Sequence, residues 1–305
     1  MRNQHLNGIL NIDKPYGITS MEVVRRLKRR SGIKRVGHGG TLDPLATGVI
    51  PICFGQATRM MEYLVSSTKE YRAVIRFGMA TDTYDALGET TSQKPVGNLS
   101  LTTIENTLDS FKGIIYQIPP MYSALKRHGK RLYNLARAGI EIELEPREVA
   151  IHHIEILNWT PPLVTLEVNC GRGLYVRSLA HDLGQALKCG GHLQELVRLK
   201  SGPFKILDSL SLANAEEKCS DGTWIEKLHT PDVVLTSLPA VILGKKSEQI
   251  INHGQSLPTI IHASTSNSQE TCRAYSTDGR FLAILKFDNA KNQLLPQKVF
   301  SMNCT

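Results

Sequence analysis

Two hydrophobic periods in one chain predict a protein of mixed α and β elements. Strand-like alternation runs through Lys69 to Gly78 and Leu163 to Cys170, and helical stripes run through Thr19 to Leu27 and Leu101 to Phe111. A third observation divides the chain. The punctuation Thr230-Pro231 to Leu238-Pro239 reads as a linker, after which the period shortens, so residues 1–235 are expected as a large domain and 240–305 as a small β-rich one. At 305 residues the chain is long enough to bury a substantial core.

Taken in order, Gly8 to Asp13 reads as a short strand closed by the turn Lys14-Pro15-Tyr16-Gly17. Thr19 and Glu22 have capping-box spacing and open a helix whose buried stripe is Val23, Val24 and Leu27. Its other face carries Arg25, Arg26, Lys28, Arg29 and Arg30, a pattern that fits a solvated face or an RNA-facing one. In Lys69 to Gly78, Tyr71, Ala73, Ile75 and Phe77 share the inward face, and Tyr71 serves equally as a core tyrosine or a site residue. Thr81 to Asp85 is a polar loop in which Asp82 and Asp85 are turn formers.

Leu101 to Phe111 is expected as a helix, and Ile118-Pro119-Pro120 breaks the rhythm before a segment that interleaves cations with rings: Tyr122, Lys126, Arg127, Lys130, Arg131 and Tyr133. That composition suits phosphate contact and base stacking. Leu163 to Cys170 is a strand, and Gly171 to Arg177 leads into a helix carried by Leu179 and Leu183, with Arg177 at the junction. Gly190 and Gly191 read as a turn before a short helix carrying Arg198. In the tail, strands are expected at Val241-Ile242, Cys272 to Tyr275 and Phe281 to Leu285, with a hairpin turn at Ser276 to Gly279 and a mobile tract at Ala263 to Ser268.

The totals exclude several classes. No apolar run approaches the roughly 18 residues of a membrane span, and no signal-peptide pattern opens the chain, so a cytoplasmic location is expected. The six cysteines are scattered without metal-ligand spacing and read as reduced thiols. A net charge of +8 favours a polyanionic partner.

The densest signal is Gly37 to Gly48, Gly-His-Gly-Gly-Thr-Leu-Asp-Pro-Leu-Ala-Thr-Gly, which sets one carboxylate, Asp43, in a glycine-rich loop. Gly37, Gly39 and Gly40 admit close approaches and backbone angles that a Cβ forbids, and Pro44 biases Asp43 toward extended geometry. Taken alone, the loop fits a surface turn as well as a device for presenting an acid.

With its neighbours the loop resembles the bacterial TruB family, the tRNA pseudouridine synthases that act on uridine 55 of the T-arm. The matching pieces are Leu10 to Pro15, the Asp43 loop, Lys69-Glu70-Tyr71-Arg72, Ile118 to Lys126 and Tyr175-Val176-Arg177, together spanning most of residues 8–202. The chain departs from the pattern at Gly39 and Leu174, where the family usually has threonine, and by an extra glycine at Gly171.

The resemblance implies an α+β pseudouridine synthase domain on a mixed, largely antiparallel sheet, with an RNA-gripping insertion at about 119–140 and a PUA-like RNA-binding domain at 240–305. It implies that Asp43 is the essential carboxylate, that Arg177 pairs with it, and that Tyr71 stacks on a flipped base. His38 would occupy the altered RNA, Tyr175 would contact substrate, and Lys14 would support the loop or touch RNA. Lys126, Arg127, Lys130 and Arg131 would contact phosphates. The reaction moves the ribose from N1 to C5 of uracil with no net redox change, so neither cofactor nor metal is expected. The implied partner is tRNA, without guide RNA or membrane, and the expected state is a monomer. The rival readings are a noncatalytic RNA-binding factor and a guide-dependent synthase.

Overall fold

A computed structural model describes residues 6–123, 125–127, 129–140, 142–258 and 271–300. The Ala263 to Ser268 tract and Cys304 lie outside the described residues. Through the body the order is β1 (Gly8–Lys14), α1 (Ser20–Ser31), β2 (Val36–His38), β3 (Thr47–Phe54), α2 (Met61–Ser66), β4 (Lys69–Phe77), β5 (Met79–Thr81), β6 (Thr90–Gln93), α3 (Leu101–Leu108) and β7 (Gly113–Gln117). The insertion follows with β8 (Lys126–Arg127), β9 (Lys130–Arg131) and α4 (Leu132–Arg137), then β10 (Arg147–Thr160), β11 (Leu163–Cys170), α5 (Val176–Ala186), β12 (Gly191–Ser201), β13 (Phe204–Lys205), β14 (Leu210–Ser211) and α6 (Leu212–Asp221). The tail holds β15 (Ala240–Leu243), α7 (Lys245–Asn252), β16 (Leu257–Pro258), β17 (Thr271–Ser276), β18 (Phe281–Asp288) and β19 (Gln293–Val299).

The body is one sheet ordered β14-β1-β3-β12-β4-β11-β10-β7, with β13 on β12 and β2 on β3. It is mixed and largely antiparallel, as expected, with parallel pairs at β1–β14 and β3–β12. The five-stranded tail sheet, ordered β15-β17-β18-β19-β16, carries its own apolar cluster around Leu243, Ile251, Leu282 and Leu285.

Local chemistry accounts for the elements. Thr19 caps α1 by accepting from the Glu22 amide at 3.1 Å, and Gly32 ends it in the left-handed region at φ 70°. Val23, Val24 and Leu27 are buried, and on the basic face the partly exposed Arg26 forks onto Glu216 of α6. β1 and β3 are buried almost throughout because they lie inside the sheet. Pro51 fits within β3 because its carbonyl accepts from Gly39 N, on the side away from β1. A strand residue points its N–H and C=O the same way, so the missing donor faces the end of β2 rather than the β1 ladder.

One expected element is corrected. Residues 191–201 form a strand, not a turn followed by a short helix, and Arg198 lies in the sheet opposite Tyr71 of β4 and Gly48 of β3. Register shifts at Leu193/Glu195 and Arg198/Lys200 break the alternation, so Leu193, Leu196, Arg198 and Ser201 turn inward at spacings that imitate a helix. The expected helix at Leu101 to Phe111 is α-helical to Leu108 and 3₁₀ from Asp109. No described helix is long and apolar enough to cross a membrane. Five cysteines, Cys53, Cys170, Cys189, Cys219 and Cys272, are buried and unpaired with one another.

The tail docks on the body through Met60 and Leu235 against Phe281, Ile284 and Phe300. Around that patch Arg59 donates to the Val299 carbonyl, Lys298 meets Glu62, and the Tyr275 hydroxyl donates to Asp232 at 2.6 Å.

Candidate active site

Asp43 hangs from a loop between β2 and β3 that is pinned along its length. Asp43-Pro44-Leu45-Ala46 is a turn closed by Ala46 N to the Asp43 carbonyl at 3.1 Å, with Pro44 in the position that its fixed φ favours. Leu42 and Leu45 are buried, and Leu42 exchanges two 2.8 Å hydrogen bonds with the Ser20 hydroxyl at the start of α1. Gly17 N donates to the Pro44 carbonyl. Gly39 lies against α2, where a Cβ would fall 2.4 Å from Leu64 Cδ1, so a threonine here would collide with this chain's own helix. Gly48 has φ +97°, and a Cβ there would meet the Arg198 carbonyl oxygen at 2.3 Å.

Opposite the loop, the first turn of α5 presents Arg177. Its guanidinium is 4% exposed and its Nε lies 2.9 Å from Asp43 Oδ2, in the geometry of an ion pair rather than a hydrogen bond. Nη1 and Nη2 donate to the Thr83 and Tyr122 carbonyls at 3.2 and 2.9 Å. Arg177 is thus fixed by its distal nitrogens while Nε faces the carboxylate.

A second carboxylate shares this arginine. Asp85 is buried, and its Oδ2 lies 3.7 Å from Arg177 Nε while its Oδ1 accepts from Thr83 Oγ1 and Leu87 N. The turn-former reading therefore holds for its hydrogen bonds and is corrected for its charge. Asp82, by contrast, is exposed and accepts from Glu89 N. Tyr84, at φ 63°, stacks on His181 of α5 with ring centroids 3.9 Å apart, which fastens the Thr81 to Asp85 loop to the helix that carries Arg177.

Asp43 and Arg177 line a cavity of about 160 Å³ with Tyr71, Leu174, Tyr175, Ser123 and Leu196. Tyr71 projects from β4 beside the guanidinium of Arg198, and burial raises its phenol pKa. Burial likewise raises that of Tyr175, which adjoins Ser123. Both rings are therefore neutral apolar faces with a polar tip. A larger groove of about 540 Å³ along Asn11, Phe204 and Leu207 contains none of these residues.

Lys14 is fully buried behind the loop, and its Nζ donates at 2.8 Å to the Pro15 and Ile18 carbonyls, with the Pro44 carbonyl at 3.5 Å. Desolvation lowers its pKa to about 8, opposed by the nearby Asp43 charge. Of the two readings of Lys14, this placement favours loop support over contact with RNA. His38 sits half-buried on β2 opposite Ile52, and burial lowers its pKa, with the Arg198 charge acting the same way. In the insertion, β8 and β9 pair with Lys126 opposite Arg131 and Arg127 opposite Lys130; the side chains of these four lie outside the described parts.

The structure therefore brings Asp43, Tyr71, Tyr175 and Arg177 to one cavity with Leu196, sets Lys14 behind it, and places Asp85 against Arg177 and Arg198 beside Tyr71. Nothing in the polar 81–85 stretch marks Asp85 as buried, whereas alternation read backward from Ser201 with a bulge allowed would place Arg198 inward.

Comparison with known proteins converges on one family. Residues 28–176 match the sequence model described as TruB family pseudouridylate synthase, N-terminal domain, and residues 177–235 match the tRNA pseudouridylate synthase B C-terminal domain. A curated tRNA pseudouridine synthase B of Dehalococcoides mccartyi is 44% identical over 98% of this chain and 98% of its own length. One from Francisella philomiragia is 40% identical over 98% and 96%. Among solved structures, a crystal structure of a Cbf5-Nop10-Gar1 complex contains a chain with TM-score 0.74 at 27% identity, covering 98% of this chain and 86% of that one.

Proposed function

The chain belongs to the TruB family of pseudouridylate synthases, and from that premise we propose that it isomerises uridine 55 in the T-arm of tRNA to pseudouridine, with Asp43 as the essential carboxylate. The observation that carries the assignment is the 2.9 Å approach of Asp43 to a buried arginine at the mouth of an aromatic-lined cavity. An ionised Asp43 held by Arg177 is oriented for work as a nucleophile or an acid-base group at the reacting nucleotide. The N1–C1′ bond breaks and a C5–C1′ bond forms, the proton lost from C5 being balanced by one gained at N1, so the product is an isomer.

A base inside a folded T-loop is out of reach, so the nucleotide is flipped into the cavity. Tyr71 supplies a stacking face, Tyr175 and Leu196 the other walls, and His38 fills space in the rearranged RNA. Lys126, Arg127, Lys130 and Arg131 contact phosphates, and the tail adds RNA affinity as a PUA-like module. The enzyme works as a cytoplasmic monomer, and its action on tRNA without a guide RNA is supported by the nearly full-length match to relatives named as tRNA enzymes.

The test is to incubate the purified chain, alone, with unmodified tRNA transcripts and to map pseudouridine. Modification at position 55 by the wild type and none by Asp43→Asn, with tRNA binding retained, is the expected result. Tight binding without product from the wild type would identify a noncatalytic RNA-binding factor. Activity that appears only with added guide RNA and partner proteins would identify the guided class.

A further inference from the structure

Arg198 has the largest fully buried side chain of the described residues, 1% exposed, and no carboxylate among those residues pairs with it. Removing a guanidinium from water without a counter-charge is costly unless its donors are met by well-placed acceptors. The acceptors here are backbone carbonyls, and they come from both ends of one loop. Nη2 donates to the Gly40 carbonyl at 3.2 Å, Nη1 to Thr41 at 3.3 Å, and Nε to Val49 at 2.6 Å. The Tyr71 phenol lies beside the same group.

The backbone of Arg198 grips the loop as well. It stands in β12 between Gly48 of β3 and Tyr71 of β4, beside the register shift at Arg198/Lys200, and its carbonyl leaves no room for a Cβ on Gly48. The loop from Gly40 to Val49 is thus closed across its base by one side chain, with Asp43 at its far side.

We propose that Arg198 is a positioning residue for the isomerisation, acting through the loop: its guanidinium clamps the carbonyls of Gly40, Thr41 and Val49, fixing where Asp43 stands relative to Arg177 and Tyr71. This rests on the reading of Asp43 given above. A planar fork meets three divergent carbonyls at once, which the point charge of a lysine does not. A displacement of about 1 Å in a catalytic group costs roughly 100-fold in rate.

The test compares Arg198→Lys and Arg198→Met with wild type. The expected result is a folded protein with roughly 100-fold lower single-turnover rate, tRNA Kd within about threefold, and faster amide exchange confined to residues 41–49. Adding Asp43→Asn to Arg198→Lys should lower the rate no further than Asp43→Asn alone, because both changes act through one carboxylate. A folded Arg198→Lys with near wild-type rate, or one whose rate falls only in proportion to its tRNA affinity, would overturn the proposal. Failure of both variants to fold would do so too, by reducing Arg198 to general stability. The exchange measurement stands apart from activity: loop-selective loss of protection beside a fully active Asp43→Asn would retain the clamp and remove the role of Asp43.

Discussion

Two buried arginines flank the cavity, both anchored on backbone carbonyls, and they differ in the charge they face. Arg177, on the α5 side, is 4% exposed and faces the carboxylates of Asp43 and Asp85. Arg198, on the sheet side, is 1% exposed and faces the carbonyls of Gly40, Thr41 and Val49. The first arrangement sets the charge that a substrate meets. The second sets the shape of the loop that offers it, because a carbonyl dipole orients a cation without neutralising it. A carboxylate placed for chemistry needs both, and here the two tasks fall to a helix and a strand.

The sharpest break of this comparison is Asp43→Asn, which keeps the shape and removes the charge. The rate should fall by at least roughly 1,000-fold with unfolding free energy nearly unchanged, measured by single-turnover assay and urea titration. Arg177→Met strands Asp85 as a buried charge without its partner. It should cost about 3–5 kcal/mol of stability together with most of the activity, read by the same two experiments. Gly48→Ala attacks the shape alone: a side chain at φ +97° pressed on the Arg198 carbonyl should cost about 1–3 kcal/mol, with an activity loss that exceeds any loss in tRNA affinity.

Smaller effects refine it. Asp85→Asn retains an acceptor for Leu87 N but removes one of two negative charges at Arg177, so a rate loss of roughly tenfold is expected without a change in tRNA Kd. Asp182, on the same helix as Arg177, has no paired cation among the described residues, and burial raises its pKa to about 6 from 3.8. Between those values the folded state holds more protons than the unfolded one, so stability declines as pH rises from about 4 to 6. Asp182→Asn should flatten that decline and add of order 1 kcal/mol at pH 7, after allowance for solvent screening, as followed by denaturation across that pH range.

Legibility in the sequence divides along the same line. The Asp43 loop, Tyr71 on an alternating strand and Arg177 at a strand-to-helix junction each carry a local signature that places them, glycines with an Asp-Pro pair, period two, and a glycine tract before an apolar stripe, but only the family resemblance joined them into one site. Arg198 was hidden because two bulges shift the phase of β12. Asp85 was hidden because a carboxylate that caps a turn and one that also meets a distant arginine look alike in sequence, and only the 92-residue closure onto Arg177 tells them apart. Pro51 and the adjoining glycine loop masked β3, whose acceptability depends on which side the missing donor faces. The sheet is thus readable only at strands that keep their period, such as β4 and β11, while β3, β12 and the contacts across the cleft are products of the assembled fold.

The docking of the tail bears on how the protein could be cut. Phe281, Ile284 and Phe300 cover Met60, and the segment they cover leads directly into α2, where Met61 and Leu64 back Gly37 and Gly39. Severing the chain between residues 235 and 240 would therefore leave an oily scar one helix behind the Asp43 loop. The larger body is built with its rear wall borrowed from the β-rich tail, so the tail is masonry for the Asp43 cavity.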